Sequence, residues 1–151
     1  MSNKSIISFY GNTGAGKSTA VNYFTRIPLK KVPNACGELV VEIVDTELTE
    51  EETKNRCVIG QSSGISETVC SKGYTIAHSR ITEQDEAPIK EIVFCDNPGF
   101  KDTRGASYGI VTNLSMDRAI EVCASVKAIV LVVPYESMFS DKGNNIISLF
   151  E

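Results

Sequence analysis

The sequence predicts an α/β fold of three layers, in which a mainly parallel β-sheet lies between helices within one domain, residues 1–151. Three short apolar runs rich in β-branched residues predict buried strands at 5–10, 92–95 and 127–134. Continuous apolar strands separated by helices are typical of a parallel sheet that is covered on both faces. A chain of 151 residues can bury a core and fits one domain better than two.

The first predicted strand leads into a helix through a glycine-rich loop. The apolar run over 5–10 stops at Gly11. After Lys17, apolar residues recur at helical spacing until Pro28 ends the pattern: Ala20, Val21, Phe24 and Ile27. We therefore expect a strand, a glycine loop and a helix in this order.

The centre of the chain gives weaker signals. Residues 39–44 are rich in β-branched side chains and predict a strand, although their apolar pairs also suit a turn of helix. Residues 47–56 are charged and predict a solvated loop or a hairpin connection. Residues 57–72 carry many hydroxyls and predict a flexible loop, and residues 74–80 are compatible with a strand.

The second half of the chain repeats the pattern of strand, helix and strand. The run over 92–95 predicts a strand that ends at Asp96, and 127–134 predicts the next one. Between them, a helix is predicted from apolar residues at helical spacing: Met116, Ala119, Ile120 and Cys123. Asn113 or Ser115 is able to cap the start of this helix.

Charge and cysteine usage exclude several classes of protein. The net charge of −4 argues against a nucleic-acid binder, which needs a concentrated basic surface, and Lys30–Lys31 is too short to supply one. The five cysteines form no C-x-x-C pair, which argues against a zinc site, and their odd number favours reduced thiols in the cytoplasm. No run approaches the roughly 18 apolar residues of a membrane span, so membrane association is not indicated.

The strongest functional signal is the Walker A motif G-N-T-G-A-G-K-S at residues 11–18, which follows the first predicted strand. Its glycines let backbone amides approach phosphate groups, and the start of the next helix adds a partial positive charge. Lys17 is expected to bridge the β and γ phosphates, and the Ser18 hydroxyl to bind Mg²⁺. The alternative is a glycine-rich turn without a ligand. The phosphate-binding residues assigned here are Gly11, Asn12, Thr13, Gly14, Ala15, Gly16, Lys17, Ser18 and Thr19.

A second motif, D-N-P-G, follows the strand predicted over 92–95. Asp96 is placed to hold Mg²⁺ through water, and the Gly99 amide is placed to bond the γ-phosphate without steric hindrance. The alternative is a simple Asx-Pro-Gly turn that leaves a strand. The order of the two motifs along the chain favours the nucleotide site.

Three segments together resemble the septin, Toc and immunity-associated branch of the translation-factor-related P-loop GTPases. They are G-N-T-G-A-G-K-S-T at 11–19, I-S-E-T-V-C at 65–70 and C-D-N-P-G-F-K-D-T at 95–103. The resemblance implies a P-loop NTPase fold, binding of GTP and GDP with Mg²⁺, and a nucleotide-dependent switch. It also implies a homotypic dimer or assembly of G domains.

The resemblance further implies a threonine that gives its hydroxyl to Mg²⁺ and its amide to the γ-phosphate. Thr68 is the residue that it selects, although Thr75 and Thr82 lie in the same interval and a solvated loop threonine fits the composition as well. The implied catalytic residues are Lys17, Thr68 and Gly99. The implied Mg²⁺ ligands are Ser18, Thr68 and Asp96.

The chain also departs from the pattern of this branch. Phe100 follows Gly99 where Ras-like enzymes place a glutamine that orients water, so we expect slow hydrolysis that needs assistance. Arg80 and Arg104 are candidate charge stabilisers, although surface positions suit them equally.

No [NT]-K-x-D motif that would read guanine follows residue 134. We therefore expect a G domain that is truncated after its fourth core strand and incomplete at its C-terminus. The strand near 129–133 would then form an exposed apolar edge.

Three functions fit these observations. The first is a GTPase switch with slow or partner-assisted hydrolysis. The second is an assembly module that binds GTP at a homotypic interface and hydrolyses little. The third is a P-loop ATPase or kinase. Against an ATPase, Asn97 stands in place of a glutamate able to activate water, and against a kinase, the sequence shows no arginine-rich lid segment.

Overall fold

A computed structural model describes residues 4–60, 68–76, 92–100 and 105–139. Their strands are β1 (Ser5–Tyr10), β2 (Leu29–Pro33), β3 (Leu39–Ile43), β4 (Lys72–Ile76), β5 (Ile92–Asp96) and β6 (Ser125–Leu131). Their α-helices are α1 (Lys17–Phe24), α2 (Glu50–Lys54), α3 (Ala106–Glu121) and α4 (Tyr135–Phe139), and a 3-10 turn covers Asp45–Glu47. None of these helices is long and apolar enough to cross a membrane.

Four strands form one mostly parallel sheet in the order β4-β5-β1-β6. The central strand β1 pairs in parallel with both neighbours, so that Ile7 lies opposite Phe94 of β5 and Ala128 of β6. Only β4 runs antiparallel within this sheet, against β5. The predicted α/β class and its mainly parallel sheet are therefore confirmed.

Two hydrophobic clusters cover opposite faces of the sheet. Because successive side chains of a strand point to opposite faces, β1 contributes to both clusters. On one face Phe9 packs with Val21 of α1. On the other face Ile6 packs with Ala119 of α3. The helices thus lie on both sides of the sheet, as the continuous apolar strands predict.

Strands β2 and β3 form a separate antiparallel hairpin between α1 and α2. The strand predicted over 39–44 is confirmed by β3, whereas β2 has no counterpart in the sequence-based prediction. The turn of this hairpin is organised by Asn34, whose Oδ1 accepts from the Cys36 and Glu38 amides, both at 2.9 Å. Gly37, with φ +80°, supplies the left-handed backbone of this turn.

Two predictions are wrong: the loop expected over 47–56 and the start of the helix expected before Met116. Residues 50–54 form α2 rather than a loop, because Thr49 and Glu52 make a reciprocal capping box at its start. Helix α3 begins at Ala106, so Asn113 and Ser115 lie inside it and cap nothing. The spacing of apolar residues does not reveal the first turns of α3, because Thr112, which is buried there, is polar.

Other element boundaries differ by small amounts. Strand β4 starts at Lys72, earlier than the predicted 74–80, and residues 77–80 lie outside the described part of the chain. Helix α1 ends at Phe24, before Pro28, and Thr25 at its end donates its hydroxyl to the Val21 carbonyl at 2.9 Å.

Candidate functional site

The Walker A motif lies where β1 meets α1, at the carboxyl edge of the sheet. Residues 11–16 form the loop, and α1 begins at Lys17. Gly16 precedes the helix with φ +92°, a left-handed conformation that residues with a side chain rarely adopt. Among the described residues, no side chain caps the first turn of α1, and this turn carries no acidic residue. Its amides and partial positive charge therefore suit an anion.

Lys17 is buried and turns back over the loop. Its Nζ donates to the carbonyl oxygens of Gly11 at 3.1 Å and Asn12 at 3.0 Å. Burial lowers the pKa of Lys17, while the carboxylate of Asp96 acts in the opposite direction. The ammonium group is held inside the loop at the point where the sequence predicts phosphate.

Asp96 ends β5 and is only 1% exposed. Its Oδ2 accepts hydrogen bonds from Ser18 Oγ at 2.7 Å and from Thr68 Oγ1 at 3.1 Å. Burial raises the pKa of this carboxyl, and the two hydroxyl donors and Lys17 oppose the rise. Three side chains from distant parts of the sequence therefore meet at one carboxylate.

The second carboxylate oxygen, Asp96 Oδ1, is buried and has no hydrogen-bond partner among the described residues. A buried acceptor without a donor is costly and calls for a ligand or ion. The oxygen atoms at this position belong to a carboxylate and two hydroxyls, and Mg²⁺ prefers such oxygen ligands. The described residues include no cluster of three His, Cys, Asp or Glu side chains. The residues present thus fit a small cation.

The segment after Asp96 packs closely on the phosphate loop. The Thr13 amide donates to the Phe100 carbonyl at 3.1 Å, and the Phe100 amide donates to the Gly11 carbonyl at 3.1 Å. A Cβ at Gly99 would lie 2.5 Å from the backbone nitrogen and Cα of Thr13. Only glycine allows the two loops to approach this closely.

Asn97, which the sequence places only where an ATPase would carry a glutamate, is a site residue whose structural role the sequence does not predict. Its side chain is fully buried, and its Nδ2 donates to Ser8 Oγ at 2.7 Å and to the Phe9 carbonyl at 2.9 Å. Its Oδ1 accepts from Ser71 Oγ at 2.7 Å. The Ser71 amide donates in turn to Ser115 Oγ of α3 at 2.7 Å. One amide side chain therefore connects β1, the end of β5 and the segment that carries Thr68.

The structure places two of the candidate threonines in different surroundings. The hydroxyl of Thr68 reaches Asp96, whereas Thr75 lies within β4 and its amide donates to Asn55 Oδ1 at 3.2 Å. The third threonine, Thr82, lies outside the described residues, as do Arg80 and Arg104. The other residues that the sequence assigns to phosphate binding lie in the loop or in the first turn of α1: Gly14, Ala15 and Thr19.

Comparison of the chain with protein-family models, with curated proteins and with solved structures finds no significant match.

Proposed function

We propose that this chain binds GTP together with Mg²⁺ and acts as a nucleotide-dependent switch with slow or partner-assisted hydrolysis. One observation carries the proposal: Ser18 and Thr68 both donate to Asp96, whose other oxygen is buried without a partner beside the Walker A loop. This arrangement supports a P-loop NTPase fold. The choice of guanine rests on the sequence resemblance.

In this proposal the chain's own residues divide the work of holding a triphosphate. The amides of the loop and of the first turn of α1 surround the phosphates, and Lys17 supplies the positive charge. Ser18, Thr68 and Asp96 would hold Mg²⁺, which neutralises charge on the β and γ phosphates. Gly99, which lies against Thr13, would supply its amide to the γ-phosphate.

Slow hydrolysis follows from the residue after Gly99. Phe100 has no group that can orient a water molecule, and its ring stacks on Tyr10 with centroids 6.0 Å apart. A partner would have to supply a group that orients the water, a role distinct from that of an activating protein's arginine, which stabilises the charge of the transition state.

A switch needs loops whose positions depend on the γ-phosphate. Thr68 and Gly99 suit this role because each contacts a part of the phosphate site that a nucleotide would alter. Release of the γ-phosphate would remove a contact that the loops of Thr68 and Gly99 share.

The test is the affinity of fluorescent GTP with and without Mg²⁺, together with phosphate release. Lys17→Ala is expected to weaken binding by about 100-fold or more, which is the loss of a charge-assisted contact in a buried site. Lys127→Ala is the matched control, because Lys127 is exposed on β6. Equal affinity for ATP and GTP would contradict the guanine assignment. Absence of GTP binding would contradict the proposal.

A second candidate is a nucleotide-dependent assembly module. The apolar edge strand β6 favours it, since Ile129 is 70% exposed. Sedimentation with GDP, with a non-hydrolysable GTP analogue and without nucleotide separates the two functions. A monomer under all three conditions argues against assembly.

A further inference from the structure

A groove lies beside the phosphate loop, between α1 and the hairpin β2–β3, with a volume of about 600 Å³. One wall is formed by residues at the start and along α1: Gly16, Thr19, Ala20, Tyr23 and Phe24. The hairpin forms the other wall with Leu29, Lys30, Lys31 and Val41.

Part of each wall is a regular face of its element. Thr19 and Tyr23 are four residues apart, the spacing that places side chains on one side of a helix, and Gly16 caps that helix. Leu29 and Lys31 are two residues apart on β2, and Val41 of β3 pairs directly with Lys31. These three residues therefore share one face of the hairpin.

The groove is continuous with the proposed phosphate site. Gly16 belongs to the Walker A motif and Thr19 follows it, and both line the groove. The terminal phosphates are assigned to the region of Lys17 and Asp96. The groove is a concave surface that begins beside this region, at the start of α1.

The chemistry of the groove suits a sugar and a base. Its volume lies within the range of roughly 300–1,000 Å³ that small-molecule sites occupy. Leu29 and Val41 supply apolar contacts, and Tyr23, which is 70% exposed, offers an aromatic ring for stacking. Lys30 and Lys31 add positive charge to the hairpin wall.

We propose that this groove receives the sugar and base of the nucleotide, with Tyr23 and Val41 in contact with them. The inference rests on the proposed function, because it requires the phosphates to lie in the Walker A loop. It assigns to the β2–β3 hairpin a direct role in nucleotide binding.

The experiment compares the affinities of GTP and inorganic tripolyphosphate, each with Mg²⁺. Val41→Trp fills the groove, so we expect GTP to bind about tenfold more weakly, while tripolyphosphate binds as to the unchanged chain. Val40→Trp is the matched control, because Val40 is the neighbouring half-buried residue on the opposite face of β3. It is expected to change neither affinity.

A second variant gives a spectroscopic readout that does not depend on filling the groove. The chain has no tryptophan, so Tyr23→Trp introduces a single fluorophore at an exposed position that tolerates substitution. GTP is expected to change its emission, and tripolyphosphate is not.

The groove proposal is overturned if Val41→Trp binds GTP with unchanged affinity, or if GTP leaves the emission of Tyr23→Trp unchanged. In either case tripolyphosphate binding that depends on Lys17 would leave the proposed function standing. Failure of the unchanged chain to bind either ligand would overturn both. If Val41→Trp does not fold, the emission of Tyr23→Trp decides the question.

Discussion

Strands β5 and β6 both pair in parallel with β1, yet β5 is largely buried and β6 is mostly exposed. Both are apolar in sequence, so the difference lies in what covers them. Val93 and Phe94 of β5 lie in clusters formed with α3 and α1, respectively. On β6, Val130 packs against the α1 cluster, while Ile129 is 70% exposed. Pairing places a strand in the sheet, but packing of helices determines its burial.

The two sides of β1 also differ in chemistry. The β5 side collects the polar residues of the proposed site, including the buried side chains of Asp96 and Asn97. The β6 side meets the end of β1, just before the phosphate loop, through its backbone: the Val132 amide donates to the Tyr10 carbonyl at 2.8 Å. The β5 side therefore carries the charge and the hydrogen-bond network, and the β6 side gives backbone support.

The largest contrast is expected from truncating one side chain in the core and one on the β6 edge. Phe9→Ala should lower the free energy of unfolding by about 3–5 kcal/mol, because Phe9 is fully buried between α1 and β5. Ile129→Ala should change it by about 0.5 kcal/mol or less. Urea denaturation of both variants measures the difference. Similar losses for the two would show that β6 is covered in solution.

The next effect concerns the hydrogen-bond network on the β5 side. Asn97→Ala should destabilise the chain by roughly 1–3 kcal/mol, because the Phe9 carbonyl and the Ser8 and Ser71 hydroxyls lose a buried partner. Binding of Mg²⁺ and GTP should weaken as well, since Asn97 positions Asp96 and the Thr68 segment. Asn113→Ala, at an exposed position of α3, is the control for nucleotide affinity. Unchanged affinity in Asn97→Ala would limit this residue to a structural role.

A glycine pair tests the contact between the two loops. Gly99→Ala should cost about 1–3 kcal/mol and reduce GTP affinity, because the added Cβ overlaps the Thr13 backbone. Gly109→Ala meets no atom within 4 Å and lies inside α3, so it should stabilise by about 0.5–1 kcal/mol. Thermal unfolding and GTP titration measure both variants. A neutral Gly99→Ala would mean that the loops separate readily.

The smallest expected effect is an increase in the free energy of unfolding. Burial raises the pKa of Asp96 in the folded state, so its charge opposes folding above its ordinary pKa of 3.8. Without nucleotide, Asp96→Asn should therefore stabilise the chain at neutral pH by about 1 kcal/mol while weakening binding of Mg²⁺ and GTP.

The same variant gives a pH dependence. A raised folded-state pKa means that the folded chain holds the proton more tightly, so the stability of the unchanged chain falls as pH rises through that pKa. The advantage of Asp96→Asn should vanish below about pH 4, where the carboxyl is protonated in both states. Unfolding at several pH values measures this. A constant difference at all pH values would contradict the assignment to the Asp96 charge.

Much of the sheet could be predicted because its strands carry local signals. The runs at 5–10 and 92–95 contain apolar β-branched residues in unbroken succession, and they pair as predicted. Strand β2 was missed because its sequence, L-K-K-V-P, has little apolar content and it pairs only with β3. Helix α2 could have been found from the T-x-x-E spacing of Thr49 and Glu52, which is a local signal.

By itself, the sequence determined the order of strand, glycine loop and helix around Lys17 and the placement of Asp96 at the end of a buried strand. These features depend on neighbouring residues, whose spacing and backbone preferences are fixed locally. Only the tertiary structure decided that Thr68 reaches Asp96, that Asn97 connects three segments and that β6 remains exposed. Such contacts join residues far apart in the chain, and their geometry depends on how the whole sheet and its helices pack.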